Sequence, residues 1–129
     1  MEANAIHAHD GVTEFMGFRW VSAEEVRLTI RPDLMNQGGM LSGVVSYALI
    51  DYGMGAALFP HITAEEGFAT ISIGITYVAT AREGEIVCGT RLDRRTRGSA
   101  ALRSEVTHAD GRLLATAVGA YSIFPRRRR

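Results

Sequence analysis

Lysine is absent from this 129-residue sequence: all fourteen basic side chains are arginine, balanced by fourteen acidic ones. Without lysine there is no Schiff-base chemistry and no Walker-type phosphate loop, so phosphate would have to be bound by arginine. Zero net charge supplies no overall field for holding nucleic acid or an anionic membrane. Cysteine occurs once, at Cys88, which excludes a disulfide framework and a cysteine-based zinc site within one chain and points to a reducing compartment. Proline occurs three times. No Pro/Ser-rich linker, low-complexity tract or internal repeat divides the chain, which is expected to form one domain over residues 1–129. Long apolar runs are also scarce. The most apolar stretch, Met40 to Phe59, contains Asp51, two serines and three glycines, which argues against a membrane span. Met1 to Asp10 lacks the apolar core of a secretory signal. Together these absences lead us to expect a soluble, cytoplasmic protein.

What is present is the composition of a compact globular chain, 47% hydrophobic and 22% charged. A chain of this size buries roughly two-thirds of its unfolded surface, enough for a core without disulfides or structural metal. Residues 1–16 form a weakly patterned N-terminal extension with room for a short helix, anchored by Phe15, Met16 and Phe18. Arg19 to Arg31 alternates apolar and polar residues around Glu24-Glu25, as a hairpin turning near Glu24 does, and Pro32 ends it. Leu34 to Leu41 reads as a loop with Asn36, Gln37, Gly38 and Gly39. From Ser42 an apolar run of about 18 residues is too long for a buried strand; it predicts a helix capped by Ser42 and closed by Pro60. Apolar residues cover this helix nearly all round, so it must be covered on most sides.

Phe68 to Thr80 alternates again, with Ile71, Ile73, Ile75 and Tyr77 on one face and Thr70, Ser72, Gly74 and Thr76 on the other. Strands are also predicted over Glu85 to Arg95, Ser99 to His108 and Arg112 to Phe124, the last two joined by an Asp110-Gly111 hairpin turn. The order predicts an α+β chain in which a curved antiparallel sheet wraps one long central helix. One sheet covers only part of such a helix, so a dimer at least is expected. Arg126 to Arg129 reads as a solvated tail.

Asp51 is the one charged residue between Asp33 and Glu65, and it falls inside the apolar helix. A carboxylate there is either paired, exposed at a helix end, or used. Upstream, Gly38 and Gly39 let a ligand approach the backbone, and Ser42-Gly43 puts unpaired N–H groups at the positive end of the helix dipole. Such a segment is a glycine-rich turn with an ordinary cap, or an anion or oxyanion site. Asn36 would stabilise the turn through an Asx bond or donate to a bound carbonyl. His7, His9, His61 and His108 lack metal-ligand spacing beyond His7-Ala8-His9, and no metal is expected. Cys88 reads as a small face or core residue. Trp20, Tyr47 and Tyr52 fill the core or line a pocket, with core the default.

The run Asn36-Gln37-Gly38-Gly39-Met40-Leu41-Ser42-Gly43, with Asp51 fifteen positions after Asn36, resembles the loop and helix of hotdog-fold acyl-CoA thioesterases of the phenylacetate-degradation (PaaI) type. Ile73 to Val78 with Ala81 to Glu85 is similar to the next strand and turn of that family. Arg97-Gly98-Ser99 and Asp110 to Ala115 are similar to its last two hairpins. The resemblance covers Gly17 to Phe124, with Ser42 where the family has histidine and Val44 where it has its second glycine.

The resemblance implies hydrolysis of an acyl-CoA thioester, with Asp51 as general base on water or as nucleophile. It implies that the Gly43 N–H and the Asn36 side chain polarise the carbonyl, that Ser42 stands in the loop that shapes this site, and that Thr70 orients the water. Arg82, Arg95, Arg97 and Ser99 fall where the nucleotide end of coenzyme A binds, or are simply solvated strand-end groups. Coenzyme A belongs to the substrate, and no separate cofactor is implied. Gly43 and Asp51 are eight positions apart on one helix, about 12 Å, too far to meet at one thioester carbon. Asp51 of one subunit should therefore meet Gly43 and Asn36 of another, in a homodimer or a homotetramer. Two other functions compete: a non-catalytic module binding acyl-CoA or another apolar ligand, which Ser42 in place of histidine keeps open, and a hydratase or dehydratase, which would need a histidine near the acid. Packing of side chains near Met54, Leu58 and Phe68 across the dimer should decide which acyl group fits.

Overall fold

The computed structural model describes residues 10–126. The expected features of residues 1–9 and 127–129, including most of the extension and of the arginine tail, lie outside this range. A short helix, α1 (Gly11–Met16), is capped by the Asp10 carboxylate, which accepts from the Val12 and Thr13 N–H groups. The chain continues through β1 (Arg19–Ser22), β2 (Glu25–Thr29), the long helix α2 (Gly43–Leu58), and then β3 (Glu66–Tyr77), β4 (Glu85–Arg95), β5 (Ser99–His108) and β6 (Leu113–Pro125). The strands form one six-stranded sheet in the order β1-β2-β4-β5-β6-β3, with every neighbouring pair antiparallel.

The predicted hairpin, helix and strand sequence thus stands, with β4 and β5 at the predicted bounds. Ser42 caps α2 as expected, its Oγ accepting from Val44 N–H at 3.2 Å. Gly111 sits at a φ of 98° in the β5–β6 turn, a left-handed conformation that favours glycine.

The core lies between the sheet and α2. Leu49, Ile50, Met54 and Leu58 of the helix are fully buried against Val26, Leu28, Ile86, Leu102 and Val106 of the strands. Each large side chain buried this way contributes about 1.5–3 kcal/mol. Gly119 of β6 makes room for the helix: a Cβ there would fall 2.4 Å from Met54 Sδ. The cover is one-sided, since Val44 is 72% exposed and Tyr47 42%.

One predicted face is wrong. The ladder between β3 and β6 skips a residue between Thr70 and Ser72, a β-bulge. Strict alternation puts Ile71 with Ile73 and Ile75 and puts Thr70 opposite them. The extra residue reverses the parity upstream. Ile71 is left 62% exposed, and Thr70, opposite the buried Tyr121, faces the helix together with Phe68.

Candidate functional site

The bulge carries Thr70 to the middle of α2. There Asp51 Oδ1 accepts two hydrogen bonds, from Thr70 Oγ at 2.8 Å and from the Tyr121 hydroxyl at 2.7 Å. The same phenol lies 3.0 Å from the Asp51 main-chain carbonyl. Burial, reinforced by the adjoining carboxylate, pushes the Tyr121 pKa far up, so the phenol keeps its proton and remains a donor. Asp51 Oδ2 has no hydrogen-bond partner among the described residues. The carboxylate borders a cavity of about 230 Å3, whose walls also include Tyr52, Gly55, Phe68 and Ala69.

Tyr121 was given no role by the sequence. The available signal was a tyrosine among the small residues of the last strand, because a buried phenol needs a hydrogen-bond partner. Finding that partner required the register. Tyr52, next to Asp51, donates to Asp10 Oδ2 at 2.9 Å, and burial together with that carboxylate pushes its pKa up to about 12. Phe18 packs edge-on against its ring at 5.7 Å. Trp20 is partly buried against the core and edge-on to Phe18, as the core reading expected.

The N-terminal end of α2 is organised separately. Asn36 Oδ1 accepts from the N–H groups of Gly38, at 2.9 Å, and Met40, at 3.2 Å. This Asx-type turn fixes the orientation of the amide, so that its Nδ2 group is the end left for another acceptor. Gly39 completes the turn at a φ of 76°. The Gly43 N–H, in the first turn of the helix, has no acceptor among the described residues. The carbonyl of Gly43 accepts from the Tyr77 hydroxyl at 2.6 Å, which fixes the plane of that peptide group. Asn36, Ser42, Gly43, Tyr47 and Tyr77 line a second cavity, of about 720 Å3. Ser42 faces it, with its Oγ engaged in capping.

The structure therefore gathers the predicted residues into two groups: Asp51 with Thr70, and Asn36 with Ser42 and Gly43. The two cavities share no residue. Within one chain the groups stay apart, as the helical rise requires.

Arg82, Arg95, Arg97 and Ser99 do not form one patch within a single chain. Arg82 is exposed before β4, whereas the other three lie at or beyond its far end, about 30 Å away along an 11-residue strand. Arg95 is committed elsewhere: it binds Glu66 at 2.6 Å, the His61 carbonyl, and the Thr96 carbonyl at 3.2 Å. Its hydrogen bond holds the Glu66 carboxyl below the usual range. Ser99 shares a 2.7 Å hydroxyl contact with Thr96 in the β4–β5 turn, and Arg97 is exposed there. His108 bridges two turns through the Glu83 carbonyl and the Asp110 N–H.

The sequence model of the thioesterase superfamily matches residues 38–115, from the glycine loop through α2 into β6. The chain belongs to the thioesterase superfamily. Solved structures share the fold. A conserved protein from Pseudomonas aeruginosa is 28% identical with a TM-score of 0.82, the match covering 89% of this chain and 94% of that one. A thioesterase from Haemophilus influenzae reaches a TM-score of 0.88 at 14% identity, over 98% and 90% of the two chains. A protein from Bacillus halodurans, solved with CoA, reaches 0.85 at 18% identity, over 95% and 82%. No curated protein matches the sequence. The architecture is the hotdog fold, one antiparallel sheet against one long helix, as in the Haemophilus influenzae thioesterase, and superfamily membership supports thioester hydrolysis in general. Among the described residues no helix is long and apolar enough to cross a membrane.

Proposed function

We propose that this superfamily member hydrolyses acyl-CoA thioesters to the free acid and coenzyme A, in the manner of the PaaI type. The observation that carries the proposal is the asymmetric setting of Asp51. Two hydroxyls donate to Oδ1, and Oδ2 is left for a water molecule at the edge of a cavity. In the proposed step Oδ2 takes a proton from water, and the water oxygen attacks the thioester carbonyl carbon. The resulting oxyanion collapses by breaking the C–S bond, and the departing thiolate takes up a proton as coenzyme A. Asp51 attacking as nucleophile, through a mixed anhydride that water then hydrolyses, gives the same products.

The oxyanion needs donors, and the best candidates are the Gly43 N–H and Asn36 Nδ2. The Gly43 N–H lies about 12 Å from Asp51 along the helix within a chain, so the proposed reaction uses Asp51 of one subunit with Gly43 and Asn36 of a second. Two features favour such a homodimer or homotetramer. The twelve-residue β3 lies at the sheet edge with an unpaired backbone side. Beside the second cavity, Val44, Tyr47, Tyr77 and Val78 are exposed. The CoA in the Bacillus halodurans structure favours a CoA thioester as the ligand.

Free-thiol release from acetyl-, hexanoyl-, octanoyl- and benzoyl-CoA tests the proposal. Wild type should turn over, and Asp51→Asn should lose about 10²–10⁴-fold in kcat with its fold intact. Mixing Asp51→Asn with Asn36→Ala chains should recover activity, because each mixed dimer then contains one complete site. Turnover that survives in Asp51→Asn would overturn the role of the carboxylate. Ligand binding without turnover in the wild type would favour the binding module instead.

A further inference from the structure

Two glycines interrupt the interior of α2, and the packing explains only one of them. An interior glycine costs a helix about 0.5–1 kcal/mol relative to alanine, so each invites a reason. At Gly53 the reason is contact: a Cβ would fall 3.2 Å from Thr90 Oγ and 3.3 Å from Cys88 Sγ, both buried. At Gly55 there is none. A Cβ there would meet only the edge of the Phe68 ring, at 3.4 and 3.7 Å, which is ordinary van der Waals contact. The backbone there is ordinary helix, without a positive φ.

Gly55 follows Asp51 by one helical turn, on the same face, and both border the 230 Å3 cavity. The walls of this cavity combine hydroxyl and carboxylate oxygens with the Phe68 ring and the Ala69 methyl. Its oxygens, from Asp51, Thr70 and Tyr121, gather where the carbonyl reacts, while Gly55, Phe68 and Ala69 form the remainder. The Tyr52 hydroxyl is held by Asp10. An acyl group whose carbonyl sits beside Asp51 finds apolar contact along Phe68 and Ala69, and the charged phosphates of the CoA moiety find no cationic side chain among these walls.

We propose that Gly55 sets the acyl-size limit: without a side chain at this point of the wall, the cavity beside Phe68 takes the carbons beyond the first few of a medium-length acyl group. The inference rests on the acyl-CoA reading and adds its substrate class: acyl groups larger than acetyl. Sequence reasoning looked for this determinant in packing near Met54, Leu58 and Phe68 across a dimer; within one chain Met54 and Leu58 are fully buried in the core and do not border the cavity. Only Phe68 of that group does.

The test compares kcat/KM for acetyl-CoA, hexanoyl-CoA and octanoyl-CoA in wild type, Gly55→Ala, Gly55→Val and Phe68→Ala. A side chain that intrudes on an apolar pocket discriminates by about 10–200-fold. The hexanoyl-to-acetyl ratio should fall by about tenfold in Gly55→Ala and further in Gly55→Val, and should shift toward octanoyl-CoA in Phe68→Ala. Gly55→Ala should melt at or above the wild-type Tm, which separates a size filter from damage to the helix. An unchanged ratio in an active, folded Gly55→Ala overturns the inference while leaving the hydrolase reading intact. Absence of turnover by wild type with every acyl-CoA overturns both.

Discussion

The first turn of α2 and its middle each present polar groups to a cavity, yet they are assembled over different sequence distances. Asn36, Ser42 and Gly43 fall within eight consecutive positions, and their geometry comes from an Asx-type turn and a helix cap. Asp51, Thr70 and Tyr121 come from a helix and two strands, with Asp51 and Tyr121 seventy positions apart. The first cluster is local and solvated. The second depends on sheet register, and a one-residue slip in β3 would turn Thr70 away from the helix. Local clusters should therefore respond to mutation mainly through function, and register-built clusters through function and stability together.

The largest separation between the two should come from Asn36→Ala. Loss of an oxyanion donor costs about 10²–10³-fold in kcat. Because the Asn36 bonds are solvent-exposed, Tm should change little. A thiol-release assay beside a melting curve checks both, and a large loss of Tm would break the contrast. Tyr121→Phe should show the opposite balance. It removes one of two donors to Asp51 Oδ1 in a half-buried setting, with an expected stability loss of about 1.5–3 kcal/mol by urea denaturation and a smaller fall in kcat.

Behind the second cluster, the buried Cys88 sharpens the comparison through pH. Burial pushes its thiol from 9.0 up to about 11. The folded chain thus holds this proton more tightly than the unfolded chain, so the contribution to stability is intact below pH 9 and is lost as pH rises toward 11. The slope is at most about 1.4 kcal/mol per pH unit. Between pH 9 and 10, Cys88→Ala should flatten the fall in stability. Above pH 10 a residual slope should remain, since Tyr52 and Tyr121 are shifted upward as well. Ser42→Ala, back in the local cluster, should have the smallest effect: about 1 kcal/mol from the lost helix cap, measured by urea denaturation.

The comparison also explains what was legible in the sequence. Asn36, Gly43 and Asp51 could be picked out because a glycine loop before a capped helix, and one carboxylate in an apolar run, are patterns along the chain. Arg95 could not be assigned, because its commitment to Glu66 and to the His61 carbonyl joins strand and loop across 29 and 34 positions. Tyr121 escaped for the same reason, and Gly55 because its significance is its place on a cavity wall beside Phe68.

By itself the sequence determined the elements, their order and the isolation of Asp51, since hydrophobic period, caps and turn residues act between near neighbours in the chain. The tertiary structure decided which way Thr70 faces, which phenol holds Asp51, which arginine is tied down and where a cavity remains. Each of these depends on strand register and on a bulge, which are settled by packing between segments distant in sequence.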